Sequence, residues 1–269
     1  MDPVHEKLAL LKNALQSLGS LAVAFSGGVD STFLLKVAHD VLSEGTLAVT
    51  ARSSTYPEKE FADAVRFITD HRIPHVTIVS EELDIERFAD NPPNRCYFCK
   101  RELFSKIVAL ARDKDIRYVA DGSNCDDLGD YRPGMQALRE LGIISPLKEA
   151  KMTKQDIRIL SKEMNLPTWD KPALACLASR LPYGHKITRE KLSAIDRAEQ
   201  CLRTEGFRQV RVRHHGDVAR IEVAPEERAR FFDEALMDRV SEEFKKLGFA
   251  YTALDLKGYR TGSMNETIL

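Results

Sequence analysis

Short apolar runs alternate with stretches of helical periodicity through the first part of this chain. The apolar runs lie at 21–25, 46–53, 75–80 and 117–124. Helical stretches lie between or after them, at 31–42, 56–72, from Cys96 onward and at 152–166. Strands that alternate with helices form βαβ units, whose strands pair in parallel. The sequence therefore predicts an α/β fold with a doubly wound parallel sheet, in which ligands bind at the carboxyl ends of the strands.

The pattern changes near residue 185. A helix is predicted at 188–207, two alternating strands flank a Gly216-Asp217 turn, and one continuous helix is predicted at 226–248 before a last strand. Two alternating strands around such a turn indicate a β-hairpin. We therefore predict two domains, a larger one at 1–184 and a small α+β domain at 185–269.

Charge and hydropathy argue against two classes of partner, although a local basic patch is compatible with the overall charge. The 269 residues include 40 basic and 41 acidic side chains, a formal net charge of −1, whereas a protein that binds nucleic acid commonly carries a basic excess. No apolar run reaches the roughly 18 residues that span a bilayer, and the amphipathic N-terminal segment lacks the basic start of a signal peptide. We expect no nucleic acid, no membrane and a cytoplasmic location, where cysteines serve metals or catalysis before disulfides.

The turn after the first apolar run, SGGVDS, has the composition of an anion-binding loop. Gly27 and Gly28 let backbone N–H groups approach an oxyanion, and the following helix adds its positive N-terminal end. Ser26 and Ser31 add hydroxyl donors. The loop lacks the Gly-Lys-Ser/Thr of a Walker motif, and Asp30 beside a phosphate predicts a bridging Mg²⁺. An ordinary strand-turn-helix junction is the alternative.

Three cysteines form a candidate metal site. Cys96 and Cys99 have the C-x-x-C spacing that lets two thiolates converge on one metal. A four-cysteine zinc site needs a second such pair, which the sequence lacks. With Cys176 as a third ligand, the set could hold an iron–sulfur cluster with one iron open. The alternative is three separate buried side chains. Cys201, within a helical run, is expected in the core.

The loop resembles the signature of the PP-loop ATP pyrophosphatases, also called adenine-nucleotide alpha-hydrolase-like proteins. Within them, the chain closely resembles the LarE family, the ATP-dependent sulfur transferases that build the nickel-pincer cofactor of lactate racemase. The resemblance runs nearly end to end. It is carried by AFSGGVDS, DGSN…DDLGDYRPG, KPALACLASRLPYG, RVRHHGDVARIEV and GYRTGSMNE.

This resemblance implies that the loop grips the pyrophosphate of ATP while a substrate oxygen attacks the α-phosphate, giving an adenylate. It also implies that Asp30 has a catalytic role in holding Mg²⁺. The further residues expected at the nucleotide are Ala51, Arg52, Asp121, Gly122 and Ser123.

The resemblance to LarE also implies a substrate, pyridinium-3,5-biscarboxylic acid mononucleotide. ATP adenylates one carboxylate, sulfide displaces AMP to leave a thiocarboxylate, and a second round treats the other carboxylate. Members with one cysteine at the position of Cys176 sacrifice its sulfur. Members with three, at Cys96, Cys99 and Cys176, hold a 4Fe–4S cluster that passes on a sulfide. This chain has all three, so we expect the cluster type, a catalytic Cys176 and a supply of sulfide or a sulfur donor.

A substrate with a phosphate and two carboxylates needs cationic partners. Arg211 and Arg213 alternate along one predicted strand and so share a face. Arg260 follows the last strand, and Arg180 lies shortly after Cys176. Planar guanidinium groups bind phosphate or carboxylate in a bidentate manner. The alternative places Arg211 and Arg213 on the solvated face of a hairpin.

Other assignments stay open. Glu199 and Glu222 fall where family members carry acidic residues near the site, His214 and His215 suit a polar hairpin tip, and Trp169 suits packing. Alternative functions are a tRNA thiolase or an ammonia-using ligase of the same superfamily, or a regulator that binds adenine nucleotides without turnover. The resemblance further implies a homo-oligomer, a hexamer being the form known in relatives.

Overall fold

The computed structural model describes residues 2–129, 133–172, 175–260 and 263–264. Parts of three of the segments that carry the family resemblance therefore lie outside the described residues, at 130–132, 173–174 and in the stretch after Arg260. No described helix is long and apolar enough to cross a membrane.

The backbone groups into two compact units. The first unit contains residues 1–81 and 94–174, and the second contains 82–93 and 175–269. These units are defined by contacts between backbone positions. The two functional domains at 1–184 and 185–269 stay a prediction.

A parallel sheet forms the centre of the first unit. Its four strands stand in the order β3-β2-β1-β4, and every neighbouring pair is parallel. The strands are β1 (Leu21–Ala24), β2 (Thr46–Arg52), β3 (His75–Val79) and β4 (Tyr118–Ala120). The chain moves outward in one direction from β1 to β3 and then returns to the other side of β1 for β4. The order thus reverses between β1 and β4, where doubly wound folds place their ligands.

Helices cover both faces of this sheet. They are α1 (Pro3–Gln16), α2 (Val29–Leu42), α3 (Glu58–Asp70), α4 (Arg95–Asp113), α5 (Pro133–Glu140), α6 (Pro146–Glu149) and α7 (Lys154–Glu163). Side chains alternate across β1: Leu21 and Val23 join the core shared with α1, α2, α3 and α7, whereas Ala22 joins the core shared with α4 and α5. This alternation follows from the period of two in a strand, and the predicted doubly wound α/β fold is confirmed.

The second unit contains a small three-stranded sheet. Strands β5 (Val210–His215) and β6 (Val218–Val223) are antiparallel, with His215 opposite Val218, and β7 (Tyr251–Leu254) is parallel to β6. Helices α8 (Arg189–Thr204) and α9 (Glu234–Lys246) supply core residues to it, among them Leu202 and Phe244. The hairpin predicted around Gly216-Asp217 is therefore present.

One predicted helix of this unit is wrong. Residues 226–248 do not form a continuous helix: a 3-10 helix over Pro225–Phe232 ends before Asp233, and α9 begins after it. The Asp233 side chain accepts hydrogen bonds from the N–H groups of Ala235 and Leu236, at 3.0 and 3.4 Å. An aspartate in this role starts a new helix. The apolar residues keep helical spacing across Asp233, so their pattern did not reveal the break.

Candidate functional site

The anion-binding loop lies between β1 and α2, at the end of the central strand. Gly28 is the residue that caps α2, and Gly27 has a φ of +61°. A Cβ atom at Gly27 would lie 2.9 Å from Cβ of Ala64 in α3. Glycine is therefore required at this position both for its backbone conformation and for the close approach of α3.

Two serines link the ends of this loop. Ser31 Oγ accepts a hydrogen bond from the Ser26 N–H at 3.3 Å, and the two hydroxyl oxygens are 3.1 Å apart. Ser31 also donates to the carbonyl of Gly28 at 3.3 Å. The first N–H groups of a helix have no partner within it and favour an anion. The loop and the first turn of α2 together therefore form a compact arrangement suited to phosphate.

Two side chains that sequence reasoning missed hold the carbonyl groups of the loop. Tyr56 donates to the carbonyl of Ser26 at 2.6 Å, and burial, with the nearby acidic side chains, raises the pKa of its hydroxyl. Lys171 donates to the carbonyl of Gly27 at 3.1 Å and pairs with Glu60 at 2.5 Å. Nothing in the sequence near Lys171 indicates this contact, because it depends on the folded chain.

Asp30, predicted to hold Mg²⁺, lies in the first turn of α2. Its carboxylate accepts hydrogen bonds from Lys154 Nζ and, at 3.2 Å, from Asn124 Nδ2. Among the described residues, no group of three or more His, Cys, Asp or Glu side chains is arranged to hold a metal ion. Mg²⁺ usually keeps several waters and binds through one or two carboxylates plus substrate phosphates. The chemistry of Asp30 fits that mode.

The segment after β4 lies against the same loop. Asp121 accepts hydrogen bonds from Ser123 Oγ and, at 2.6 Å, from Ser145 Oγ. A Cβ atom at Gly122 would lie 3.1 Å from the backbone nitrogen of Ser31, so a larger residue would have to move this turn away from α2 by a few tenths of an ångström. The structure thus brings the predicted Asp121–Ser123 turn next to the predicted loop.

Ala51 and Arg52 occupy the end of β2, as predicted. Arg52 pairs with Glu58 at 3.2 Å and lies over the ring of Phe61, 5.6 Å from its centroid. Its side chain is 61% exposed, so it can reorient towards a ligand at little cost.

In the second unit, Arg180 is buried beside a carboxylate. Its Nε and Nη2 atoms donate to Glu199 at 2.8 and 3.0 Å, and Nη1 donates to the carbonyls of Ala175 and Cys176 at 2.6 and 3.0 Å. Burial acts to raise the pKa of Glu199, but the charge and hydrogen bonds of Arg180 outweigh it and hold that pKa below its ordinary value. Arg203 also binds Glu199, at 3.1 Å.

The two arginines of β5 are buried as well. Arg211 donates to the carbonyl of Val210 at 2.7 Å and lies over the ring of Tyr259, and burial together with the neighbouring Arg180 lowers its pKa to about 10. Arg213 pairs with Glu222 at 2.6 Å. Their exposed fractions are 4% and 5%, so the alternative of a solvated hairpin face is wrong.

Further charged groups extend this cluster, which we call the arginine network. Glu222, fully buried, also accepts from Arg220 at 3.1 Å and from Ser263 Oγ at 3.1 Å. Arg260 donates to the carbonyl of Gly258 at 2.9 Å and lies 3.4 Å from Asp255. Among the described residues, the network comprises Arg180, Arg203, Arg211, Arg213, Arg220 and Arg260 around Glu199, Glu222 and Asp255. Cations outnumber anions in this set, which favours a multiply charged anion.

The predicted cluster ligands have accessible thiols. Cys96 and Cys99 stand one turn apart at the start of α4, where residues three apart are neighbours on the helix surface. Cys176 precedes the 3-10 helix Leu177–Arg180 in the second unit. Cys96 and Cys176 are exposed and Cys99 is intermediate. None of the five cysteines, all of which lie among the described residues, forms a disulfide. Cys96 and Cys176 are therefore not buried as the alternative expected, but no three metal-ligating side chains are grouped among the described residues. Thiolates are the donors that an iron–sulfur cluster takes.

The remaining predicted residues have structural surroundings. Cys201 packs against the core of the second unit, and burial raises the pKa of its thiol. His214 packs edge-on against Phe249, and burial lowers the pKa of its imidazole. Trp169 is 37% exposed and lies under Lys162 Nζ, 4.7 Å from the ring centroid.

Comparison with known proteins gives relatives along the whole chain, although no protein-family model matches it. An uncharacterised protein of Synechocystis sp. is 43% identical over 265 residues, covering 98% of this chain and 99% of that protein. The pyridinium-3,5-bisthiocarboxylic acid mononucleotide synthase of Lactiplantibacillus plantarum is 39% identical over 269 residues, covering 100% and 97%. One subunit of the glutamine-hydrolysing GMP synthase of Saccharolobus solfataricus is 27% identical over 217 residues, covering 70% and 56%.

Proposed function

Because the chain belongs to the LarE family of ATP-dependent sulfur transferases, we propose that it converts pyridinium-3,5-biscarboxylic acid mononucleotide into the bisthiocarboxylic acid for nickel-pincer cofactor synthesis. The observation that carries this proposal is the full-length identity of 39% to a pyridinium-3,5-bisthiocarboxylic acid mononucleotide synthase. The phosphate loop and the arginine network support it, because the reaction needs a site for ATP and cations for an anionic substrate.

In the first step the enzyme activates a carboxylate. The loop residues Ser26, Gly27, Gly28 and Ser31 bind the pyrophosphate part of ATP, and Asp30 holds the Mg²⁺ that offsets its charge. A substrate carboxylate oxygen attacks the α-phosphorus, the bond to the β-phosphate oxygen breaks, and pyrophosphate leaves. The acyl adenylate carries AMP as a good leaving group, which a free carboxylate lacks.

The arginine network binds the substrate. Its guanidinium groups include the predicted Arg180, Arg211 and Arg213, which are buried, and Arg260, which is half-buried. Their excess positive charge suits a phosphate or a carboxylate. Glu199 and Glu222 act as positioning residues, because their carboxylates fix the guanidinium planes before an anion arrives. Such preorganisation lowers the cost of binding.

In the second step sulfur replaces the adenylate. We propose that Cys96, Cys99 and Cys176 would hold a 4Fe–4S cluster, and that such a cluster would supply the sulfide that displaces AMP from the activated carboxylate. A sulfide source or donor system must then restore the sulfur. We also propose that the protein works in the reducing cytoplasm and forms a homo-oligomer. Light scattering measures the oligomeric state.

Substrate-dependent release of pyrophosphate tests the activation step. We expect pyrophosphate and AMP to appear when ATP and the pyridinium substrate are both present, and the rate to fall at least about 100-fold in Asp30→Asn. Lys12→Met, on the exposed face of α1, is the control. Pyrophosphate release that needs no pyridinium substrate, or that responds to ammonia or tRNA instead, would contradict the proposal.

Anaerobic purification with iron and sulfide assays tests the cluster. We expect a coloured protein after reconstitution, and loss of both iron and sulfur transfer in Cys96→Ala. Cys201→Ala, which removes a thiol packed against the core, is the matched control and should keep its iron. A colourless wild type after reconstitution, or Cys96→Ala with full activity, would remove the cluster from the mechanism.

A further inference from the structure

Two carbonyl groups of the phosphate loop are bound by side chains from elsewhere in the first unit. The Ser26 carbonyl accepts from Tyr56 Oη at 2.6 Å, and the Gly27 carbonyl accepts from Lys171 Nζ at 3.1 Å. A trans peptide group is planar, so its N–H points away from its C=O. The N–H groups of Gly27 and Gly28 therefore point away from Tyr56 and Lys171.

The donors themselves are fixed by α3. Lys171 Nζ pairs with Glu60 at 2.5 Å, and Glu60 is only 8% exposed in the first turn of α3. Tyr56 precedes the same helix, and burial raises the pKa of its hydroxyl. Ala64, one turn after Glu60, is the residue that Gly27 closely approaches. Three contacts thus orient the loop relative to one helix.

We propose that Tyr56 and Lys171, the latter held by Glu60, are positioning residues that turn the N–H groups of Gly27 and Gly28 towards the pyrophosphate of ATP. Without them, either peptide group could rotate and present a carbonyl oxygen to the anion, which would repel it. The inference rests on the proposed binding of ATP at this loop. Both residues act through the backbone of the loop.

Binding of Mg-ATP and of Mg-pyrophosphate, measured by calorimetry, tests this role. Loss of one hydrogen bond that orients a donor should weaken both ligands about fivefold to tenfold in Tyr56→Phe. The KM for ATP should rise by the same factor, whereas the KM for the pyridinium substrate should stay unchanged. A general loss of stability would not produce that difference between the two substrates.

Lys171→Met leaves the buried Glu60 without its cation and can fail to fold. The double variant Lys171→Met with Glu60→Gln removes both charges, and we expect it to fold and to bind pyrophosphate at least about fivefold more weakly. Lys171→Arg keeps the charge and a donor, so it should recover most of the affinity.

Lys7→Met is the matched control. Lys7 pairs with Asp156 at 2.6 Å in the same unit. The side chains of this pair are 28% and 12% exposed, and those of Lys171 and Glu60 are 18% and 10% exposed. The Lys7→Met variant should lose some stability and keep its affinity for ATP. If Tyr56→Phe and the double variant both bind the two ligands as tightly as the wild type, the positioning role is wrong, whereas the proposed function is unaffected. A wild type that binds ATP without substrate-dependent pyrophosphate release would instead overturn the proposed function.

Discussion

At the scale of single residues, the decisive feature is the burial of charge beside opposite charge. Glu199 is fully buried, and Arg180 is 2% exposed. Each ion alone would carry a large desolvation cost, which the pair offsets through two direct hydrogen bonds. Such a pair adds little net stability but makes the loss of either partner costly.

Removing the negative charge of this pair should therefore destabilise the second unit. We expect Glu199→Gln to lower the free energy of unfolding by about 3–5 kcal/mol, because Arg180 is left buried without a counter-ion. Urea denaturation at neutral pH measures it. Glu205→Gln, which removes a surface partner of Arg239, is the control and should cost less than about 1 kcal/mol. Equal urea midpoints for Glu199→Gln and Glu205→Gln would contradict the burial of the Arg180–Glu199 pair.

The same carboxylate predicts a pH dependence. The pKa of Glu199 lies below its ordinary value in the folded chain, so the folded state binds fewer protons than the unfolded state as pH falls. Its contribution is present above the ordinary pKa of 4.5 and is lost as pH falls through the folded value. The wild type should thus lose more stability than Glu199→Gln between about pH 6 and pH 3 in urea titrations. Parallel curves would contradict this assignment.

At the scale of elements, local patterns and caps decide where helices begin. Thr153 caps α7 in a capping box with Asp156, and Asp233 caps α9. A local pattern marks Thr153, because it stands directly before a periodic stretch. No such pattern marks Asp233, because it interrupts a run whose apolar residues keep helical spacing.

Asp233→Ala should lower the free energy of unfolding by about 1 kcal/mol, since two N–H groups at the start of α9 lose their acceptor. Chemical denaturation of the whole chain measures the change. Asp238→Ala, at an exposed position inside α9, is the control and should be close to neutral. A cost for Asp238→Ala as large as that for Asp233→Ala would argue against a capping role.

Sequence reasoning reached the elements with strong local signals. The apolar run at 21–25 predicted β1, and the alternation of residues along β5 and β6 predicted those two strands. Gly216-Asp217 predicted the hairpin. It missed α5, which begins at Pro133 in a stretch with few apolar residues. It also missed Tyr56, Lys154 and Lys171, because a side chain that reaches the loop from a distant part of the chain has no local signature.

At the scale of the whole molecule, charge is balanced overall but unevenly distributed. The chain has 40 basic and 41 acidic residues, yet the arginine network concentrates positive charge in the second unit. Three of its arginines are buried, with exposed fractions of 2%, 4% and 5% for Arg180, Arg211 and Arg213. A small anion can reach such groups more readily than the backbone of a nucleic acid.

Bulk tRNA should accordingly neither stimulate pyrophosphate release nor compete with the pyridinium substrate. Binding to a nucleic-acid backbone weakens about 10³-fold or more between roughly 50 and 200 mM salt when it makes six or more phosphate contacts. We expect the KM of the pyridinium substrate to change far less over that range. Steady-state assays with and without tRNA measure both effects, and inhibition by tRNA at low salt would contradict the expectation.

The close approach of Gly27 to Ala64 has a consequence for how such sequences can diverge. No side chain fits at Gly27 while Ala64 keeps its methyl group 2.9 Å away from the first added carbon. Enlarging Ala64 would in turn displace the loop that Gly27 allows. Two positions 37 residues apart in sequence are therefore constrained jointly. Across related chains they should covary or remain fixed together, and a redesign of the nucleotide site must treat loop and helix as one module.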